Sequence, residues 1–432
     1  MKHSLPGIDK LHLFALWTPG QCGSMHTHTH THTHTHTHCC TESFCSSSPP
    51  PTPRGSLEST GPPRGSGHCT RLKARKEVSG STTINLGQDR DIWRPLIHTT
   101  VNLSEITSIK STFQLRTFDP EGVIFYGDTK NGDDWFVLSL KDGIPLMQIS
   151  KGDVLVSVAG GPKLDDGKWH TLELSNQGKF VILEVDGTSG LVVGTQSKHP
   201  EEVLSGGLRL ALGGILIDKE KMIVQFEPQM DGCVREGSWL NLSSPWETEV
   251  EELWPCYQNI QPGSYFAGTG FAIFNTSGFP VDADDGLKIE LVGDFSQMNG
   301  TIFSIKSPRH EWTVALVADK NTNVVSLTLD QEKTLMLNSL NKLVIIFQRE
   351  LLQVFQDELG ETPFSVNLGN LDVLTTWTEG RLAVGGLLGE GEDNIGSHFL
   401  TGCLEKIQVQ GKDLDLDLAV KHMSISPHSC PT

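Results

Sequence analysis

DDWFVLSLKDG (133–143) reads as a β-strand closed by an Asp-Gly turn, and the fold follows from that reading. Side chains alternate between the two faces of a strand, so Asp134, Phe136, Leu138 and Leu140 share one face. Such an apolar face belongs in the interior of a packed sheet. A carboxylate in register with it is costly unless something meets it. The identity of that partner for Asp134 is the question the stretch raises.

The strand has a second copy. EWTVALVADKN (311–321) answers to it, and its neighbours are doubled too. FDPEGVIFYGD (118–128) matches FSQMNGTIFSI (295–305), and GKFVILEVDG (178–187) matches NKLVIIFQREL (341–351). GGLRLALGGIL (206–216) matches EGRLAVGGLLG (379–389), and DGCVREGSWLNL (231–242) matches TGCLEKIQVQGKDL (401–414). The offset is 170 residues between Cys233 and Cys403 and 178 between Gly122 and Gly300. A period that long is one domain, not a solenoid repeat. Short alternating strands cut by Gly, Asp and Asn turns make the class all-β. The reading is two tandem β domains, 85–256 and 257–432, each large enough to close two sheets around one core.

Residues 1–84 have a different texture. THTHTHTHTHTHC, from Thr27, could ligate zinc or copper through imidazole, but it is also what a translated CA dinucleotide repeat encodes, and that reading is preferred. PPPTPRGSLESTGPPRGSG reads as disordered linker. LHLFALW (11–17) is too short for a full signal-peptide h-region and lacks a clear cleavage site.

The net charge of −18 and the absence of a basic block with interleaved aromatics argue against nucleic acid as a partner. No run of eighteen apolar residues offers a helical membrane span. Of nine cysteines, Cys233, Cys256, Cys403 and Cys430 lie in the β domains, with separations of 23 and 27 residues. Similar spacings suggest one disulfide per domain, although four cysteines allow three connectivities. Paired cysteines and glycosylation sequons at Asn102, Asn241, Asn275 and Asn299 together favour a secreted, extracellular protein.

Parity also picks out candidate site residues. Ser111 shares a face with Phe113 and Leu115, Lys151 with Met147 and Ile149, and Asn176 with Leu172 and Leu174; Leu208, Leu210 and Leu212 share another. Each polar group alone could sit at a wet rim. Ser111, Asp134, Lys151 and Asn176 together suggest an apolar cavity with a few fixed polar contacts, the usual chemistry of a small-molecule pocket. The second domain does not repeat this set, having Trp312 or a neighbour at the position of Asp134, so the pocket is expected in the first domain only. No enzyme is indicated: GxSxG, HExxH, Walker A and Rossmann patterns are absent from the sequence. Asp133–Asp134 and Asp165–Asp166 are sequence neighbours that face opposite ways. In LDDGKWH (164–170), Trp169 reads as core.

RTFDPEGVIFYGD, DDWFVLSLKDG, LDDGKWH, LEVDG, LALGG and MDGC resemble the laminin G-like domain. The tandem pair is similar to the steroid-carrying members of that family. The resemblance implies two jelly-roll sandwiches, each of two seven-stranded antiparallel sheets, with androgens or estradiol held between the sheets of the first. It implies a carrier that regulates free sex steroid in plasma, acting as a homodimer. It assigns Ser111 to the oxygen at one end of the steroid, Asp134 to the hydroxyl at the other, and Phe136 to the rings. Leu174, Leu208 and Leu210 would line the walls. Lys151 stands where relatives carry an asparagine, and Asn176 and Leu208 where they carry methionines, so this pocket is more polar. The family's calcium site matches Asp119 and Glu121, with a carbonyl from Gln229; hard oxygen donors suit that ion. Gly152 replaces a histidine of a zinc site seen in some members, which is not carried over. EEVLSGG (201–207) is a candidate loop over the entrance. The rival reading from another class is an extracellular adhesion or receptor-binding protein that recognises protein or glycan on its surface.

Overall fold

The computed structural model describes residues 76–432, except 79–82, 89–92, 107–109, 130, 178, 195–205, 241–244, 249, 282–284, 308–312, 330–332, 339–340, 357–362, 370, 390–394, 397 and 423–424. The His/Thr tract, the Pro-rich linker, LHLFALW, Asn241, Trp312 and most of the candidate entrance loop therefore lie outside the described residues.

Hairpin chemistry organises the first sandwich. Asp142 and Asp186 open two-residue hairpin loops at positive φ (54° and 51°), and each is followed by a glycine that does the same. Two consecutive positive φ values make the type I′ turn, whose twist matches that of the flanking strands. The eight-stranded sheet runs Lys76–Val78, Trp246–Thr248, Ile97–Asn102, Gly207–Leu212, Gly122–Thr129, Asp134–Lys141, Ile144–Lys151, Val154–Ala159. The six-stranded sheet runs Thr188–Gly194, Phe180–Val185, His170–Gln177, Ser111–Thr117, Gly232–Ser238, Ile84–Asn85.

These counts correct the expected seven and seven. Lys76–Val78 pairs with Trp246–Thr248 at the sheet edge, so the first sandwich also takes in residues before 85. Three residues held by backbone pairing are too few to show alternation in the sequence. Facing side chains fill the space between the sheets as parity required: Phe113, Leu115, Leu138, Leu140, Met147, Leu172, Leu174 and Leu208 share one buried core. A second cluster covers the outer face of the eight-stranded sheet, where Tyr126, Trp135, Val137 and Leu146 pack against Ile215, Met222 and Phe226. Burial on both faces explains why these strands are apolar at nearly every position.

Trp169 departs from its expected place in the core. It lies under two guanidinium groups, with Arg116 4.7 Å and Arg235 4.0 Å from its ring centroid. It immediately precedes the strand that begins at His170, one position out of phase with Leu172 and Leu174, so alternation turns it away from the interior.

The second sandwich repeats the strand order, and that order corrects one sequence match: Lys342–Phe347 takes the place of His170–Gln177, while the counterpart of Phe180–Val185 is Leu351–Gln356. Its seven-stranded sheet contains Phe271–Asn275, Arg381–Val384, Gly300–Lys306, Val314–Asp319 and Val324–Leu329 side by side; its six-stranded sheet contains Leu351–Gln356, Lys342–Phe347, Leu287–Val292 and Lys406–Val409. Cys233–Cys256 and Cys403–Cys430 are bonded, one disulfide per sandwich. Two of the sequons recur at equivalent turns: the Asn102 side chain caps Ser104 N–H and that of Asn275 caps Ser277 N–H, each opening a short 3₁₀ turn. Asn102, Asn275 and Asn299 are all exposed.

The sandwiches meet through buried acids. Asp231 of the first accepts the backbone N–H groups of His428 and Ser429 of the second, each at 2.9 Å. The His428 imidazole contacts Asp417 at 2.6 Å and lies 3.6 Å from Asp119. Burial alone would push this imidazole down, but Asp119, Asp417 and Asp231 outweigh it and hold it up at about 9.

Candidate ligand pocket in the first sandwich

One cavity lies between the two sheets of the first sandwich. Ser111, Asp134, Phe136, Lys151, Leu174, Asn176, Leu208 and Leu210 all line it. Register explains the convergence. Ser111 pairs with Leu174 across two strands of the six-stranded sheet, and Asn176 lies two residues further along the same strand. From the eight-stranded sheet, Phe136 pairs with Gly127, which pairs with Leu210, while Asp134 and Leu208 both pair with Thr129.

Ser111 is 1% exposed, and its hydroxyl oxygen accepts from Leu240 N–H at 3.2 Å. That bond occupies a lone pair and leaves the O–H to donate, which suits a ligand carbonyl. Asp134 is half-buried, and one carboxylate oxygen accepts from Gly152 N–H at 2.9 Å. The opening question thus has a first answer within the protein. Gly152 sits in a turn at φ 57°, a conformation open to glycine, and the turn aims its N–H at Asp134. Lys151 borders the same cavity.

Phe136 shapes the chamber. Its ring packs edge-on to Phe125 at 5.3 Å and lies over Gly127, where an added Cβ would sit 2.4 Å from its Cε1. Trp239 buttresses the inner end, 4.9 Å from both Phe113 and Phe125. The cavity encloses about 90 Å³, against roughly 300–1,000 Å³ for typical small-molecule pockets. A large flat guest therefore enters only if Phe136 or the rim gives way.

Sequence reading missed Phe125, Gly127, Ile149, Val181 and Leu240, which also line the cavity. Gly127 was the findable one, since a glycine inside a strand marks a close approach. Leu240 carried no signal: it follows the strand Gly232–Ser238 in a left-handed conformation, φ 52°, and reaches Ser111 only through the fold.

Asp119 and Glu121 are anchored by backbone N–H groups: Asp119 accepts from Glu121 and Asp231, and Glu121 accepts from Glu227. Their oxygens have the right chemistry for calcium. Each carboxylate also has a cation of the protein's own, Lys141 at 2.9 Å from Glu121 and His428 beside Asp119. The Gln229 side chain turns to the Gly87 carbonyl, which leaves its own carbonyl as the donor to consider. The donors fit, but an ion would share Glu121 with Lys141.

His170 bridges Asp166 at 3.0 Å and Asp186 at 2.7 Å. Burial opposes its charge, but the two carboxylates outweigh burial and raise its pKa. This His–Asp arrangement lies apart from the residues that line the cavity.

Residues 115–243 match the Laminin G domain model. The chain is 33% identical over 348 residues to sex hormone-binding globulin of Rattus norvegicus, covering 78% of this chain and 84% of that protein. It is 32% identical over 367 residues to sex hormone-binding globulin of Homo sapiens, with the same two coverages, 78% and 84%. Among solved structures, domains LG4-5 of the mouse laminin alpha1 chain match 84% of this chain and 97% of that one, with a TM-score of 0.58 at 18% identity, a likeness of fold alone. Paired sandwiches, a cavity between the sheets of the first, and kinship along most of both lengths lead to one conclusion: the chain belongs to the sex hormone-binding globulin family.

Proposed function

We propose that this protein is a secreted steroid carrier that holds androgens or estradiol between the sheets of its first sandwich and so sets the free sex steroid in plasma. The observation that carries the reading is the convergence of Ser111, Asp134 and apolar walls on one cavity. Ser111 donates to a carbonyl at one end of the steroid. Asp134, braced by Gly152 N–H, accepts from a hydroxyl at the other, with Lys151 at the same rim. Phe136, Leu174, Leu208 and Leu210 cover the rings. The protein binds and releases; the reading gives it no chemical step.

Burial dominates the energetics. A four-ring steroid presents roughly 450 Å² of mostly apolar surface, worth about 10 kcal/mol gross. A polar contact adds about 1 kcal/mol, or up to about 3 with a charged partner. Apolar walls set affinity, and the polar ends set orientation and discrimination. A calcium ion at Asp119, Glu121 and the Gln229 carbonyl, and a homodimer, complete the reading by family kinship.

The test is saturable binding of tritiated androgen to the full chain, with and without chelator. Asp134→Ala should weaken a steroid bearing the end hydroxyl about 10- to 100-fold and an analogue lacking it far less. Equal losses for both ligands would remove Asp134 from the site. Absence of saturable binding would sink the carrier reading, and an affinity indifferent to chelator would sink the link to calcium.

A further inference from the structure

Asn176 is anomalous in this pocket. Both polar atoms of its side chain, Nδ2 and Oδ1, are buried without a hydrogen-bond partner among the described residues. An amide can donate twice and accept twice. Stripping one of water without replacing those bonds is unfavourable. Two other polar side chains of the pocket are engaged: Ser111 by Leu240 N–H and Asp134 by Gly152 N–H. Asn176 sits on the six-stranded wall, paired with Val181, one strand away from Ser111. Asp134 and Lys151 occupy the opposite wall. The orphaned amide is thus offset from both residues assigned to the ends of a ligand.

We infer that Asn176 is a specificity-determining contact that selects steroids carrying a third oxygen, a hydroxyl or ketone in addition to those at the two ends. The inference rests on the steroid reading above and names the subclass of ligand. Nδ2 donates to a ketone or hydroxyl oxygen, and Oδ1 accepts a hydroxyl proton. A steroid with only its two end oxygens leaves the amide unpaired against hydrocarbon. The extra oxygen therefore turns an unfavourable contact into a favourable one.

The probes are steroids that share one pair of end groups and differ by a single added hydroxyl or ketone, moved around the rings, measured on the full chain and on Asn176→Leu. At least one oxygenated isomer should bind the wild type about 5- to 100-fold more tightly than its parent. Asn176→Leu should reverse that order and leave the parent bound as well or better. Without ligand, Asn176→Leu should melt above the wild type, because it removes a buried unpaired amide. The inference is overturned if every added oxygen weakens binding, if Asn176→Leu weakens the parent (the amide would then serve an end oxygen), or if the ligand-free variant melts at or below the wild type. Saturable binding of the parent with no preference among isomers would sink this inference and leave the carrier reading intact; no binding of any steroid would sink the carrier reading itself.

Discussion

The two sandwiches share a strand order and differ in what lies between their sheets. Matching registers align Ser111 with Leu287, Gly127 with Ile305, Phe136 with Val314 and Leu174 with Phe347. All four counterparts in the second sandwich are fully buried. A glycine and a serine in the first thus correspond to an isoleucine and a leucine in the second, which put hydrocarbon at those inward positions. The lesson is that one scaffold makes either a packed core or a chamber, and a few inward positions decide which. Packing density near that of organic crystals leaves no middle ground.

The largest effect should come from making the first sandwich resemble the second. Gly127→Ile places side-chain atoms where the Phe136 ring lies. Steroid affinity should fall more than about 100-fold, with an overpacking cost of about 1–3 kcal/mol in stability. Radioligand binding and urea melts separate the two, and retained affinity would break the comparison.

A smaller effect should follow from uncoupling the sandwiches. Asp231→Ala strips the acceptor from two backbone N–H groups of the second sandwich. A loss of about 1–3 kcal/mol is expected, seen in urea as two separated transitions, with steroid affinity unchanged because Asp231 does not line the pocket. One transition at the wild-type midpoint would show that the junction is held elsewhere.

The smallest effect concerns pH. His170 lies between two aspartates, while the aligned position in the second sandwich is Leu343. The folded state raises the His170 pKa above its usual value of about 6.5. Its stabilisation is therefore complete below about pH 6.5 and lost as pH rises through the folded value. Melting temperatures across that window should fall in the wild type and lose this component in His170→Gln. An NMR titration placing His170 at or below about 6.5 would contradict it.

Parity was legible because it is local. DDWFVLSL placed Asp134 and Phe136 on the inward face without knowledge of what they would meet, and STFQLRT did the same for Ser111. Gly127 carries an equally local signal, a glycine inside a strand, that the parity argument does not use. Trp169 reads as core by hydrophobicity alone, but its phase against Leu172 and Leu174 turns it outward, beneath Arg116 and Arg235. The partners were not legible. Gly152 N–H reaches Asp134, and Leu240 N–H reaches Ser111, through turn conformations 18 and 129 residues away along the chain. Backbone groups are the same at every residue, so no side-chain pattern announces them.

By itself the sequence determined the class, the duplication and the inward-facing residues, because alternation and turn chemistry are properties of neighbouring residues. Only the tertiary structure decided that these residues converge on one chamber, that Ser111 and Asp134 are braced by the backbone, and that the Asn176 amide is left unpaired. Those outcomes depend on which strands lie across from one another, and that is set by closing the whole sandwich.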